Sequence, residues 1–262
     1  MNNLDDAIGD AVDRLDHAFN QSPTDTRFFS TSSLRLERPG LALFSSRSPA
    51  VRRPVLASMI ENIIFNKGVD DADSARKKVV VFSNATQGIL MSEVISAASL
   101  IEFTAFDDGS IKDEQWPLIT DAVNGLVDCT GLHWINGPVS VPEIIKAIEE
   151  CERNTSLFIE NAHLINGLND VSLGLTELRN CAAVNEVFIY LGVGLSHWPD
   201  VRKTDPVLLV LTDLPEGYAQ VIDIADKIVM FAITDQGISA TNYDPRFVLP
   251  WRGLWEPRKK QA

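Results

Sequence analysis

The stretch Gly40-Leu-Ala-Leu-Phe-Ser-Ser-Arg-Ser-Pro-Ala-Val-Arg-Arg-Pro54 decides how this chain is read. Its first half is apolar enough for a buried strand, Leu41 to Ser45, and its second half turns polar and basic before a helix predicted from Pro54 to Asn66. Strand, loop and helix is the layout of a phosphate cradle. There, bare backbone N–H groups close on phosphate, an ammonium reaches the outer oxygens and a hydroxyl holds Mg²⁺. That chemistry calls for Gly-Lys-Ser/Thr, and the corresponding positions read Val51, Arg52 and Arg53. Val51 sets a branched side chain where bare backbone is needed and tolerates positive φ poorly, while Pro54 lacks an amide donor. A helix starting at Pro54 still offers a positive dipole end, and Arg52 is a cation in the lysine position. Tight Mg-nucleotide binding is therefore not expected. Arg47, Arg52 and Arg53 either hold another anion, such as a partner's carboxylate or a DNA phosphate, or face solvent.

Working outward, apolar runs alternate with helical periodicities, the pattern of a parallel sheet flanked on both faces. Strands are expected at Leu41 to Ser45, Val79 to Ser83, Leu132 to Ile135, Leu157 to Glu160, Glu186 to Leu191 and Lys227 to Ile233. Helices are expected at Pro54 to Asn66, Gln87 to Leu100, Asp113 to Leu126, Pro142 to Cys151 and Val171 to Val184. Pro54 and Pro142 each suit the first turn of a helix, where the missing N–H costs nothing extra. Val207 to Leu211 reads either as a strand or as a loop.

Before this core, Leu4, Ile8, Ala11, Val12, Leu15, Ala18 and Phe19 form the apolar stripe of an amphipathic helix. Asp5, Asp6, Asp10, Asp13 and Asp16 occupy the rest of its surface; early aspartates suit the helix dipole, although a column this dense repels itself. Asn20 to Ser32 reads as a linker. The expected organisation is an amphipathic helix and linker over 1–32, an α/β domain over 33–245 and a C-terminal tail over 246–262. Phe247, Trp251, Leu254 and Trp255 make that tail apolar and aromatic, suited either to a core or to a partner. The stripe Leu4, Ile8, Val12, Leu15 and Phe19 needs a surface to cover, in its own domain or on another molecule.

Several segments in order resemble the linker and RecA-like motor domain of the DnaB family of replicative DNA helicases. They are Arg38-Pro39-Gly40, Val79-Val-Val-Phe-Ser83, Gly109-Ser-Ile-Lys-Asp-Glu-Gln-Trp116, Thr155-Ser-Leu-Phe-Ile-Glu160, Thr212-Asp-Leu-Pro-Glu-Gly217 and Ala225-Asp-Lys-Ile-Val-Met-Phe231. None is specific alone; the resemblance as a whole covers about Leu4 to Ile233. The resemblance implies an α/β, RecA-like, mostly parallel sheet flanked by helices and preceded by an N-terminal amphipathic helix. It also marks departures. The family's catalytic Glu after Phe-Ser falls at Ala85, its Mg²⁺-linked Asp at Glu160, and its polar sensor pair at Gly192-Val193-Gly194. Its Asp-Leu-Arg-Glu motif reads Asp213-Leu-Pro-Glu216, and its Lys-Gln-Arg stretch has no counterpart. Several catalytic positions fail together. The family's linker helix docks on a neighbouring ring subunit, which raises docking in trans as the alternative to folding back in cis.

Composition bounds the rest. With 262 residues and 45% hydrophobic content, the chain can bury a large core, and one large α/β domain is favoured over two. No bilayer-length apolar run and no signal-peptide pattern is present, so a soluble cytoplasmic protein is expected. Cys129, Cys151 and Cys181 lack metal-like spacing and read as buried, reduced thiols. A net charge of −13 opposes approach to a polyanion, so DNA binding is expected to be weak if it occurs at all, even with Arg258-Lys-Lys260 at the tail.

Glu160 and His163 lie near a strand end, where α/β sheets place ligands, but read most simply as residues of a strand-end loop. His17, His133 and His197 share no metal-ligand spacing. Gly192-Val-Gly194 lacks the third glycine of a dinucleotide fingerprint and reads as a turn. The expectation is a catalytically inactive, helicase-like protein without a cofactor. It would act in DNA replication through a protein partner, a replicative helicase or another replication factor, or by self-assembly. A divergent ATPase using Arg52 and Glu160, and a structural DNA-binding subunit, are the alternatives.

Overall fold

In the computed structural model, the described residues are 8, 34–46, 49–65, 78–83, 88–162, 165–166, 168, 171–194, 224–234, 237–244 and 247–254. The side chains of 49–51 and of 230–254 lie outside that description. The chain divides into two compact units, one of 32–52 and 138–255, the other of 1–31, 53–137 and 256–262.

The first unit is built on strand β1, Gly40–Ser46, every residue of which is buried. An uninterrupted run such as Leu-Ala-Leu-Phe suits a central strand covered on both faces. β1 pairs in parallel with β7 (Phe188–Gly194) on one side and with β8 (Lys227–Thr234) on the other. β5 (Ser156–Ile159) lies parallel beyond β7. β9 (Gly237–Asp244) and β10 (Phe247–Leu254) continue antiparallel beyond β8, giving the order β10-β9-β8-β1-β7-β5. Residues 247–254, expected in the C-terminal tail, form this last strand. Pro250 and a register irregularity between Phe247 and Trp251 fall in β10, the outermost strand of that order, where a missing N–H is best tolerated.

Helix α5 (Val141–Glu150) carries a capping box: Ser140 Oγ accepts from the Glu143 amide, and the Glu143 carboxylate accepts from the Ser140 amide at 2.7 Å. Pro142 sits in its first turn as expected. Helix α6 (Val171–Asn185) packs on α5 and covers β1 and β7. Gly174 permits close approach, since a Cβ there would lie 2.4 Å from Leu168 Cδ1. Two-residue strands β4 (Val139–Ser140) and β6 (Ile165–Asn166) pair in parallel.

The second unit contains parallel strands β2 (Val79–Ser83) and β3 (Leu132–Asn136) with helices α2 (Ile89–Ser99), α3 (Phe103–Asp108) and α4 (Trp116–Val127). α2 and α4 pack together. The 3-10 turn Asp113–Gln115 precedes α4, so the helix expected from Asp113 has its regular part from Trp116.

Helix α1 runs Pro49–Phe65, with Pro54 inside it rather than at its start. Pro49 takes the first-turn position instead, where no intrahelical N–H bond is lost. Val51, Arg52 and Arg53 are consequently helical, not loop residues. Val51 is therefore not called on to adopt a positive φ.

Candidate functional site at the carboxyl end of the central strand

Open α/β sheets place ligands at the carboxyl ends of their strands. At the carboxyl end of β1 sits Arg52, only 2% exposed. Its Nη1 donates to the Ser46 carbonyl oxygen (3.1 Å), to Ser46 Oγ (3.3 Å) and to the Val193 carbonyl oxygen (3.2 Å). The guanidinium thus ties the ends of β1 and β7 together, where the ladder aligns Ser45 with Val193 and Ser46 with Gly194. Guanidinium carries donors only and stays charged, so its burial requires converging acceptors. Each charge-assisted bond is worth about 1.5–3 kcal/mol.

The geometry depends on Gly192. A Cβ on that residue would lie 2.0 Å from the Glu160 carbonyl oxygen and 3.1 Å from Arg52 Nε. Gly192-Val-Gly194, expected as a turn, is instead the end of β7, and the absent side chain lets the Glu160 backbone pass against it. β5 ends at Ile159, so Glu160 follows the strand rather than closing it, and it is 7% exposed. The buried cation and the buried carboxylate residue therefore flank the same glycine.

Of the other residues expected here, Arg53 is half-buried within α1. Val51 is helical, with its side chain outside the description, and Arg47, Ala85 and His163 lie outside the described residues. So do Leu4, Val12, Leu15 and Phe19 of the N-terminal stripe; Ile8 is helical and 9% exposed.

The amino end of β1 carries a feature that the sequence did not signal. Asp226 Oδ2 accepts from the Leu41 amide at 3.1 Å, and the Asp226 amide donates to the Leu41 carbonyl oxygen at 2.8 Å. Arg179 of α6 grips the same carboxylate with Nε at 3.0 Å and Nη2 at 2.9 Å. Burial pushes this carboxyl up, but the Arg179 hydrogen bonds, the Leu41 amide and the charges of Arg179 and Arg38 outweigh it and hold it below the ordinary carboxylate value. Gly40 leaves room, since a Cβ there would meet Asp226 Oδ2 at 2.2 Å.

On β7, Tyr190 stacks between Phe158 (centroids 4.9 Å apart) and Phe44 (5.8 Å), and its hydroxyl accepts from the Leu36 amide. The three cysteines are unbridged and half-buried rather than buried. Burial, reinforced by the Glu149 charge and opposed by Asn185, pushes the Cys181 thiol up, away from a reactive thiolate. Among the described residues no cluster of His, Cys, Asp and Glu could hold a metal ion. Among those same residues no helix is long and apolar enough to cross a membrane.

No family model matches the chain, and no curated protein matches it. Among solved structures it is similar to one described as the ATPase domain of G40P. That likeness has a TM-score of 0.65 at 14% identity and covers 95% of this chain and 93% of that one. It establishes the fold: α/β and RecA-like, with a mostly parallel sheet flanked by helices.

Proposed function

We propose that this chain is a DnaB-like member of the RecA-like fold that does not turn over nucleotide. It would act in DNA replication by protein contact, binding or modulating a replicative helicase or another replication factor, or assembling with itself. The observation that carries the reading is Arg52. A phosphate cradle needs N–H donors facing the ligand, whereas here strand-end carbonyls face inward onto a cation of the same chain. A net charge of −13 supports protein rather than DNA as the main partner.

Nucleotide turnover is tested with the purified chain, with and without single-stranded DNA. The reading predicts no ATP hydrolysis in either case, and DNA-stimulated turnover contradicts it. Deletion of residues 1–20 should weaken partner binding or self-association while leaving the domain folded; unchanged association rejects the N-terminal stripe as the docking element. Glu160, buried directly after β5 where the resemblance puts a Mg²⁺-linked carboxylate, favours a divergent ATPase as the second reading. A melting temperature that rises with Mg-ATP would select it.

A further inference from the structure

The end of β1 is lined in a way that suits a ligand of the opposite sign from phosphate. Ser46 O, Ser46 Oγ and Val193 O converge on a single nitrogen at 3.1, 3.3 and 3.2 Å. Two of the three are main-chain carbonyls, which no side-chain substitution at Arg52 removes. Arg52 itself is 2% exposed, Ser46 is fully buried and Val193 is 1% exposed, so water does not compete freely for these oxygens. Nη1 has two protons to divide among three acceptors, so the cage would satisfy any protonated nitrogen bearing two or three N–H bonds.

We propose that the carboxyl end of β1 and β7 is a binding site for an N–H-bearing cation, a guanidinium or a primary ammonium, which the chain fills with its own Arg52. Such an internal ligand sets a cation, rather than an anion, against the oxygens at the end of β1 and β7. The donor and acceptor polarity of this site is independent of whether the chain hydrolyses ATP.

The test is chemical rescue of Arg52→Ala, followed by thermal melting. The variant should melt about 10 °C below the parent chain, because three bonds to a charged group and a buried side chain are lost together. Methylguanidinium at about 10 mM should raise its melting point by about 3 °C relative to the parent chain under the same conditions. Tetramethylammonium, equal in charge but without N–H bonds, should not do so, and neither should inorganic phosphate. A variant that melts with the parent, a rescue matched by tetramethylammonium, or stabilisation by phosphate instead would each overturn the proposal.

If Arg52→Ala is recovered only as aggregate, the parent chain carries the test through its ¹⁵N-labelled guanidinium signals, with Arg52 assigned by its loss in Arg52→Lys. A caged Nη1 should give a resolved signal in slow exchange with water. Rapid exchange of that signal overturns the site.

Discussion

The two ends of β1 are both fastened by a buried charge, but on different terms. At the amino end, the Asp226 carboxylate has a bidentate counter-ion in Arg179, whose side chain is 39% exposed. At the carboxyl end, the Arg52 cation meets main-chain and hydroxyl oxygens within the sheet. The first arrangement is a peripheral clip joining strand and helix. The second uses the strand-end oxygens of the ligand edge to hold a side chain of the same protein. The contrast teaches that a buried charge can be held by a counter-ion at one end of a strand and by main-chain and hydroxyl oxygens at the other.

The largest expected effect falls on the carboxyl end. Arg52→Ala should cost about 4 kcal/mol in chemical denaturation, from lost charge-assisted bonds and the cavity left behind. A cost no greater than that of disrupting the amino-end clip would erase the distinction drawn here. Gly192→Ala comes next, at about 3 kcal/mol, because its Cβ would meet a backbone oxygen that cannot swing away. A crystal structure of that variant should show the Glu160 backbone displaced; an unmoved backbone with native stability contradicts the close approach.

At the amino end, Asp226→Asn should cost about 2 kcal/mol at neutral pH, less than a fully buried pair because Arg179 is partly solvated. The sign of its pH dependence follows from a folded-state pKa that lies below the unfolded one. The contribution is complete above the unfolded value of about 3.9 and is lost as pH falls through the folded value. Denaturation curves of parent and variant should therefore converge under acid; a constant gap down to pH 2 would show that the carboxylate is not the source. Ser46→Ala should be smallest, about 1 kcal/mol, since two carbonyl acceptors for Arg52 remain.

Much of the fold was legible because it rests on apolar runs. Leu41 to Ser45 and Val79 to Ser83 are continuous enough to be strands in any context, and the second has the expected bounds. Pro142 marked the first turn of α5, while the capping box of Ser140 and Glu143 came to light in the structure. The start of α1 was misplaced because two prolines, Pro49 and Pro54, could each take its first turn, and local sequence gives the later one no disadvantage. The site itself was legible only in part. Arg52 was singled out for its type, but its inward course depends on the Val193 carbonyl, a main-chain group 141 residues away that no side-chain pattern announces. Gly192 looked like a turn for the same reason, since only the passing Glu160 backbone explains the missing side chain. Arg179 and Asp226 stand 47 residues apart without a shared motif.

The central proposal is that Arg52, held by the oxygens at the end of β1, takes the place of a bound triphosphate. Thermal melting of the intact chain in the presence and absence of millimolar Mg-ATP tests it most directly. The account predicts superimposable curves; a saturable rise of several degrees with Mg-ATP would contradict it.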